Sequence, residues 1–118
     1  MIRNVFIVVV TLALAACVQR IYDWNNYDAN LYRYYKDPTS AEKFRVGMEA
    51  HLKELEEKKQ RPAPGLYAEL GTLYLERGDR STAAIYYAKE RDAWPESRYL
   101  MDTMLQAMRS PAKEAEKK

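Results

Sequence analysis

The residues with the most pointed chemistry in this sequence are four in a row, Leu14-Ala15-Ala16-Cys17. Cys17 is the only cysteine, and a thiol becomes a strong nucleophile once it is deprotonated. The small side chains of Ala15 and Ala16 leave the peptide bond before it open to a processing enzyme. Upstream lie one positive charge, Arg3, and an apolar run from Val5 to Leu14. A basic start, a short apolar run and small residues at a cleavage point make the three-part layout of a secretory signal peptide. The run is too short to cross about 30 Å of hydrocarbon, which takes about 20 residues. Only the lone Arg20 follows it where a stop-transfer segment would carry a basic cluster. Residues 1–16 are therefore expected to be removed and to take no part in the fold.

These four residues resemble the lipobox of bacterial lipoproteins. The resemblance implies that the Cys17 sulfur accepts a diacylglyceryl group, that cleavage makes Cys17 the first residue, and that its amine is then acylated too. That covalent lipid is the only non-protein group expected; no dissociable cofactor and no metal is. Several acyl chains, at about 0.8 kcal/mol per buried methylene, anchor stably where one myristoyl chain would not. Val18 stands where an aspartate would favour inner-membrane retention. The expectation is an outer-membrane anchor with the body facing the periplasm.

No catalytic set accompanies the thiol. The sequence has one histidine, His51, which rules out most histidine-based metal sites, and it has no glycine-rich phosphate loop and no Ser/His/Asp set. His51 precedes Leu52 at the edge of an apolar stripe and reads as a boundary residue. Asp23, Asp28 and Asp37 fall where turns and helix caps would use them. A lone cysteine allows no internal disulfide. The net charge of +2 gives no concentrated basic face for nucleic acid. A non-enzyme without a small-molecule substrate is expected.

The elements that would carry such a protein are helices. Four glycines, no alternating strands and an abundance of Ala, Leu, Glu, Lys, Arg and Met predict an all-α fold of about five helices after the signal. Residues 17–26 form a short lipidated segment with Ile21, Tyr22 and Trp24, too brief for a long tether. Residues 27–64 read as a degenerate helical hairpin. Its first helix is capped by Asn26 or Asp28, carries Tyr27, Leu31, Tyr34 and Tyr35 on one face, and stops at Asp37-Pro38. Thr39-Ser40-Ala41-Glu42 then reads as a capping box for a helix over 40–59. That helix has an apolar stripe of Phe44, Met48, Leu52 and Leu55, with Glu49–Lys53 and Glu54–Lys58 pairs on its wet side. Further helices are expected over 65–77, 79–93 and 96–109, the last with Leu100, Met101, Met104, Leu105 and Met108 on one face. Residues 110–118 are charged and expected to be disordered.

From Gly65 to Ser97 the sequence resembles a tetratricopeptide repeat. Tyr67, Leu70-Gly71 and Tyr74 match its first helix, Gly78 its turn, Ala83 and Tyr87 its second helix, and Pro95 its close. Gly71 and Ala83 would be small where the two helices cross. Glu90 stands where that family usually has a small residue, which predicts looser or shifted packing there. One repeat cannot bury both its faces; the aromatic N-terminal helices and the Met-rich last helix are the covers. The expected fold is thus a short tetratricopeptide-like hairpin stack, with 65–109 the repeat plus capping helix. The resemblance implies a partner groove presenting Ala68, Glu69, Thr72, Leu75 and Glu76. Tyr32, in the aromatic segment, is a second candidate contact, while Trp24 and Tyr27 are read as sealing the end of the stack.

A closer resemblance covers most of the chain after the signal. The lipobox, then Tyr22-Asp23-Trp24-Asn25-Asn26-Tyr27, Leu31-Tyr32, Tyr34-Tyr35-Lys36-Asp37-Pro38 and a terminal repeat are similar to a family of small Gram-negative lipoproteins. Its members tend to be encoded beside a lipoprotein similar to the curli secretion pore. This implies a non-catalytic adaptor in an envelope secretion or assembly complex, partnered by an envelope protein such as that pore-like lipoprotein. The alternative is a regulator of a cell-wall synthase, which would normally need a longer linker, or a peptidoglycan-associated structural lipoprotein.

Overall fold

Proline and glycine punctuate the chain so closely that each helix is bounded by its own sequence. The computed structural model describes Met1 and residues 21–109. The expected lipobox, Leu14 to Cys17, and the charged tail, 110–118, lie outside the described residues. Within them the fold is all-α: α1 (Tyr27–Lys36), α2 (Ala41–Glu57), α3 (Leu66–Glu76), α4 (Arg80–Ala93) and α5 (Arg98–Arg109). Short 3-10 turns, Pro38–Ser40 and Pro95–Ser97, lead into α2 and α5. Each begins with a proline, whose fixed φ suits a first helical position.

The ends show which local interactions win. Asn26 precedes α1 but is left-handed (φ 56°) and makes no side-chain cap. Asp28 lies inside the first turn, where its charge complements the helix dipole. The capping box expected at Thr39-Ser40 does not form. Asp37 Oδ1 instead accepts from Thr39 N and Oγ1 (3.0 and 2.6 Å), and Ser40 Oγ donates to the Asp37 carbonyl. A carboxylate two residues away captures these donors, and Glu42 turns outward to Arg45 and Arg77. Asp79 does cap α4, accepting from Thr82 N at 3.0 Å. That bond holds its carboxyl below the usual range. Gly78, at φ 83°, closes α3: its N–H reaches Leu75 O and that of Asp79 reaches Tyr74 O, a left-handed stop that glycine adopts at no steric cost.

The core has two apolar clusters, with α3 serving both. Phe44, Met48 and Leu52 of α2 meet Leu66, Leu70 and Leu73 of α3, with Tyr27, Leu31 and Tyr34 of α1 packed alongside. Ala83 and Tyr87 of α4 meet Met101 and Leu105 of α5. Two expected faces are narrower than their sequence suggests. Tyr35 is 75% exposed and Leu100 58%. At 100° per residue, each sits about a quarter-turn off its buried stripe.

Two polar residues are buried where sequence suggested otherwise. Glu90, which stands where a small residue was expected, is fully buried. Its Oε1 accepts from Gly65 N at 2.8 Å and from Ser97 Oγ at 3.0 Å, which ties the start of α3 and the turn before α5 to α4. His51 is buried as well. Its Nε2 donates to the Asp23 carbonyl at 2.9 Å, which lays the segment before α1 against α2. Glu49 does not pair with Lys53, being taken by Arg45 at 2.9 Å and by tyrosines of α3 and α4. Glu54 and Lys58 do pair, at 2.5 Å.

Candidate functional site

Gly71, Ala83 and Tyr87 meet where α3 crosses α4. Gly71 is buried at the crossing. A Cβ placed on it would lie 2.9 Å from Tyr87 Cε1 and 3.2 Å from the Ala83 carbonyl. Ala83 and Tyr87 are themselves buried. The crossing therefore tolerates hydrogen at position 71 and little else.

Tyr67, Tyr74 and Tyr86 line the side that α3 and α4 turn toward α2. Tyr86 stacks on Tyr67 and Tyr74, with ring centroids 6.4 and 5.6 Å apart. The Arg45 guanidinium lies 4.9 Å from the Tyr74 ring centre, and Lys89 Nζ lies over the rings of Tyr67 and Tyr86. Each hydroxyl has an acceptor: Tyr74 and Tyr86 donate to Glu49, and Tyr67 donates to Glu56 at 2.9 Å. Burial, then the charge of Glu49, pushes the Tyr86 hydroxyl up to about 12. Burial followed by the Glu56 bond raises Tyr67 too. For Glu56 burial works upward, but its bonds to Lys89 and Tyr67 prevail and leave it below the usual carboxylate range. This face is internally satisfied and offers no free group for a ligand.

The residues expected to line a partner groove, Ala68, Glu69, Thr72, Leu75 and Glu76, share one broad face of α3. Ala68 and Leu75 are half-buried against the α4–α5 cluster. Thr72 Oγ1 donates to the Ala68 carbonyl and sits 3.0 Å from the Tyr87 hydroxyl. Glu69 and Glu76, on the edge of that face, lie near α1. Burial, followed by the charge of Glu76, raises the Glu69 carboxyl, and Glu76 accepts from the Tyr34 hydroxyl at 3.3 Å. Tyr32 is exposed on α1, with Lys36 Nζ 5.6 Å from its ring centre.

An apolar concavity lies elsewhere, between α1 and α2. It measures about 310 Å³, at the lower end of the range for ligand sites. Trp24, Tyr27, Phe44, Met48 and Leu52 give it an apolar lining, with His51 among them. Asn30, Arg33, Ser40 and Lys43 stand among its polar groups. The local backbone explains how Trp24 comes to face it. Asn25 and Asn26 are both left-handed (φ 40° and 56°), Asn25 N donates to Asp23 Oδ1, and Tyr27 N donates to the Trp24 carbonyl. Asparagine is among the few residues that tolerate two such turns in a row. Trp24 then lies against Tyr27 and Tyr27 against Phe44, at 5.8 and 6.1 Å. Burial, then the charge of Glu69, pushes the Tyr27 hydroxyl up to about 12. Sequence reasoning assigned Trp24 and Tyr27 to sealing the stack and did not see the groove. The signal that marks it is Gly47, a glycine in mid-helix between Lys43 and His51.

Comparison with known families bears on this same stretch. The family model described as Domain of unknown function (DUF4810) matches residues 21–104. The chain belongs to that family. Searches of the curated proteins and of the solved structures find no match. The DUF4810 match begins at the segment that His51 holds and ends within α5, so groove, tyrosine face and hairpin all fall inside it. Among the described residues no helix is long and apolar enough to cross a membrane, and no three His, Cys, Asp or Glu side chains gather as a metal site.

Proposed function

We propose that this protein is a membrane-anchored periplasmic lipoprotein whose DUF4810 body acts as a non-catalytic adaptor between proteins of a cell-envelope secretion or assembly complex. The observation that carries the reading is the open groove of α1 and α2, an aromatic-lined concavity left uncovered at the end of the chain nearest Cys17. Apolar surface gathered in one concavity marks a place where another molecule sits. The polar groups around it include carboxamides, hydroxyls and cations, which recognise a partner by hydrogen bond and charge.

Two further features support the reading. The close crossing at Gly71, the left-handed stop at Gly78 and the buried Ala83–Tyr87 pair suit a tetratricopeptide-like hairpin, an architecture used for binding proteins. Cys17, as the lipid-bearing residue of an outer-membrane anchor, stands only four positions before Ile21. A chain of that length reaches about 14 Å, so the body would work close to the bilayer.

In-cell crosslinking of the anchored protein, followed by affinity purification and mass spectrometry, tests this, with Cys17→Ser as the unlipidated control. The expected result is specific recovery of an envelope lipoprotein of the curli-pore type, dependent on the anchor. Recovery of cell-wall enzymes or peptidoglycan fragments alone would replace the secretion-complex reading with the wall-directed one.

A further inference from the structure

The groove carries an inference about its occupant, resting on the adaptor reading. Gly47 lies in the middle of α2, where glycine costs about 1 kcal/mol relative to alanine. Nothing inside the protein requires it: a Cβ built at Gly47 meets no atom within 4 Å. This is the reverse of Gly71, whose missing side chain is filled by Tyr87. Gly47 instead opens a notch in the wall of the groove, beside Val46, which is 49% exposed. A notch of this kind lets a second backbone come close. Along α2 and the turn before it the groove runs from Ser40 to Leu52, about 18 Å at 1.5 Å per residue, room for roughly three turns of a partner helix.

Charge decides the chemistry of that helix. Arg33 on α1 and Lys43 on α2 line the groove from opposite walls, and no Asp or Glu lines it. Both are exposed, and neither has an acidic partner among the described residues. Arg45, Arg77 and Lys89, by contrast, are committed to carboxylates within the fold. An apolar floor with two uncommitted cations complements a helix that carries an apolar stripe flanked by carboxylates.

We infer that the α1–α2 groove seats an acidic amphipathic helix of a partner protein, with its backbone against Gly47 and its carboxylates on Arg33 and Lys43. The test uses the full chain in cells, with a benzophenone amino acid replacing Val46 in one form and the exposed Ile85 of α4 in another. The expected adduct at position 46 is a protein segment with Asp or Glu at helical spacing. Its yield should fall roughly tenfold in Gly47→Ala, the consequence of forcing a methyl group into a close contact. The same substitution should raise the melting temperature of the purified protein by a few degrees. Loss of binding with gain of stability separates a blocked notch from a damaged fold. Arg33→Glu with Lys43→Glu should abolish the adduct, and reversing the partner's charges should restore it. The inference is overturned by an adduct to lipid or to a second copy of this chain, by a captured segment without carboxylates, or by an unchanged yield in Gly47→Ala. Protein adducts at position 85 with none at 46 would overturn it while leaving the adaptor reading standing; protein adducts at neither position would overturn both.

Discussion

Gly47 and Gly71 are both helical glycines, yet their surroundings ask opposite things of them. At Gly71 the Tyr87 ring and the Ala83 carbonyl already fill the space a side chain would need. Tyr87 is 1% exposed and its hydroxyl lies beside Thr72, so the ring has nowhere to retreat. Gly71→Ala is therefore expected to destabilise the protein by about 1–3 kcal/mol, read as a lowered midpoint in urea with an unchanged slope. A midpoint at or above that of the unaltered protein would show that α3 and α4 can part without cost. The spacing of Leu70-Gly71 made this close approach legible in the sequence. Glu90 was not legible. Its partners stand 25 and 7 residues away, and nothing in the run from Ala84 to Ala93 announces that one carboxylate will close two chain segments. The capping box failed for a related reason. A local motif predicts an end only when no nearer acceptor competes, and Asp37 is nearer.

At the scale of elements, the helix bounds were readable to within about two residues because Pro38, Pro62, Pro64, Gly78 and Pro95 fall between the helices. How the helices associate was less so. That α3 and α4 would align three tyrosines on a face turned toward α2 depends on crossing geometry, which periodicity does not contain; the α1–α2 groove was missed on the same account. The tyrosine face has a consequence at alkaline pH. Tyr86, and Tyr27 in the groove, have hydroxyls pushed up to about 12 by burial and by nearby carboxylates, against 10.0 for an ordinary tyrosine. A group whose folded pKa is raised contributes stability that is complete below its unfolded pKa and is lost as pH rises toward the folded value. Stability should thus be flat in this respect below about pH 10 and fall between about pH 10 and 12. Tyr86→Phe and Tyr27→Phe should each flatten that fall, as measured by urea midpoints across the range. An equally steep fall in both variants would place its origin elsewhere.

At the scale of the whole molecule, the short distance between Cys17 and the folded body is what makes the proposed anchor mechanical as well as a means of localisation. With the body held within about 14 Å of the bilayer, a membrane-held partner is met at high effective concentration, and a groove of modest intrinsic affinity suffices. The proposal can be strained by lengthening that connection without touching the fold. A flexible Gly/Ser insert of about 20 residues between Arg20 and Ile21 would let the body wander roughly 25 Å from its anchor. Since effective concentration falls steeply once a linker exceeds the span it must bridge, the crosslinking yield should drop severalfold, while circular dichroism and melting temperature stay as they were. Cys17→Ser, which removes the anchor altogether, should lower the yield further still. If the insert leaves the yield unchanged while Cys17→Ser abolishes it, the anchor serves to localise the protein and the groove's own affinity holds the partner. A loss with the insert as severe as with Cys17→Ser would mean the groove acts only when pressed against a partner at the membrane surface.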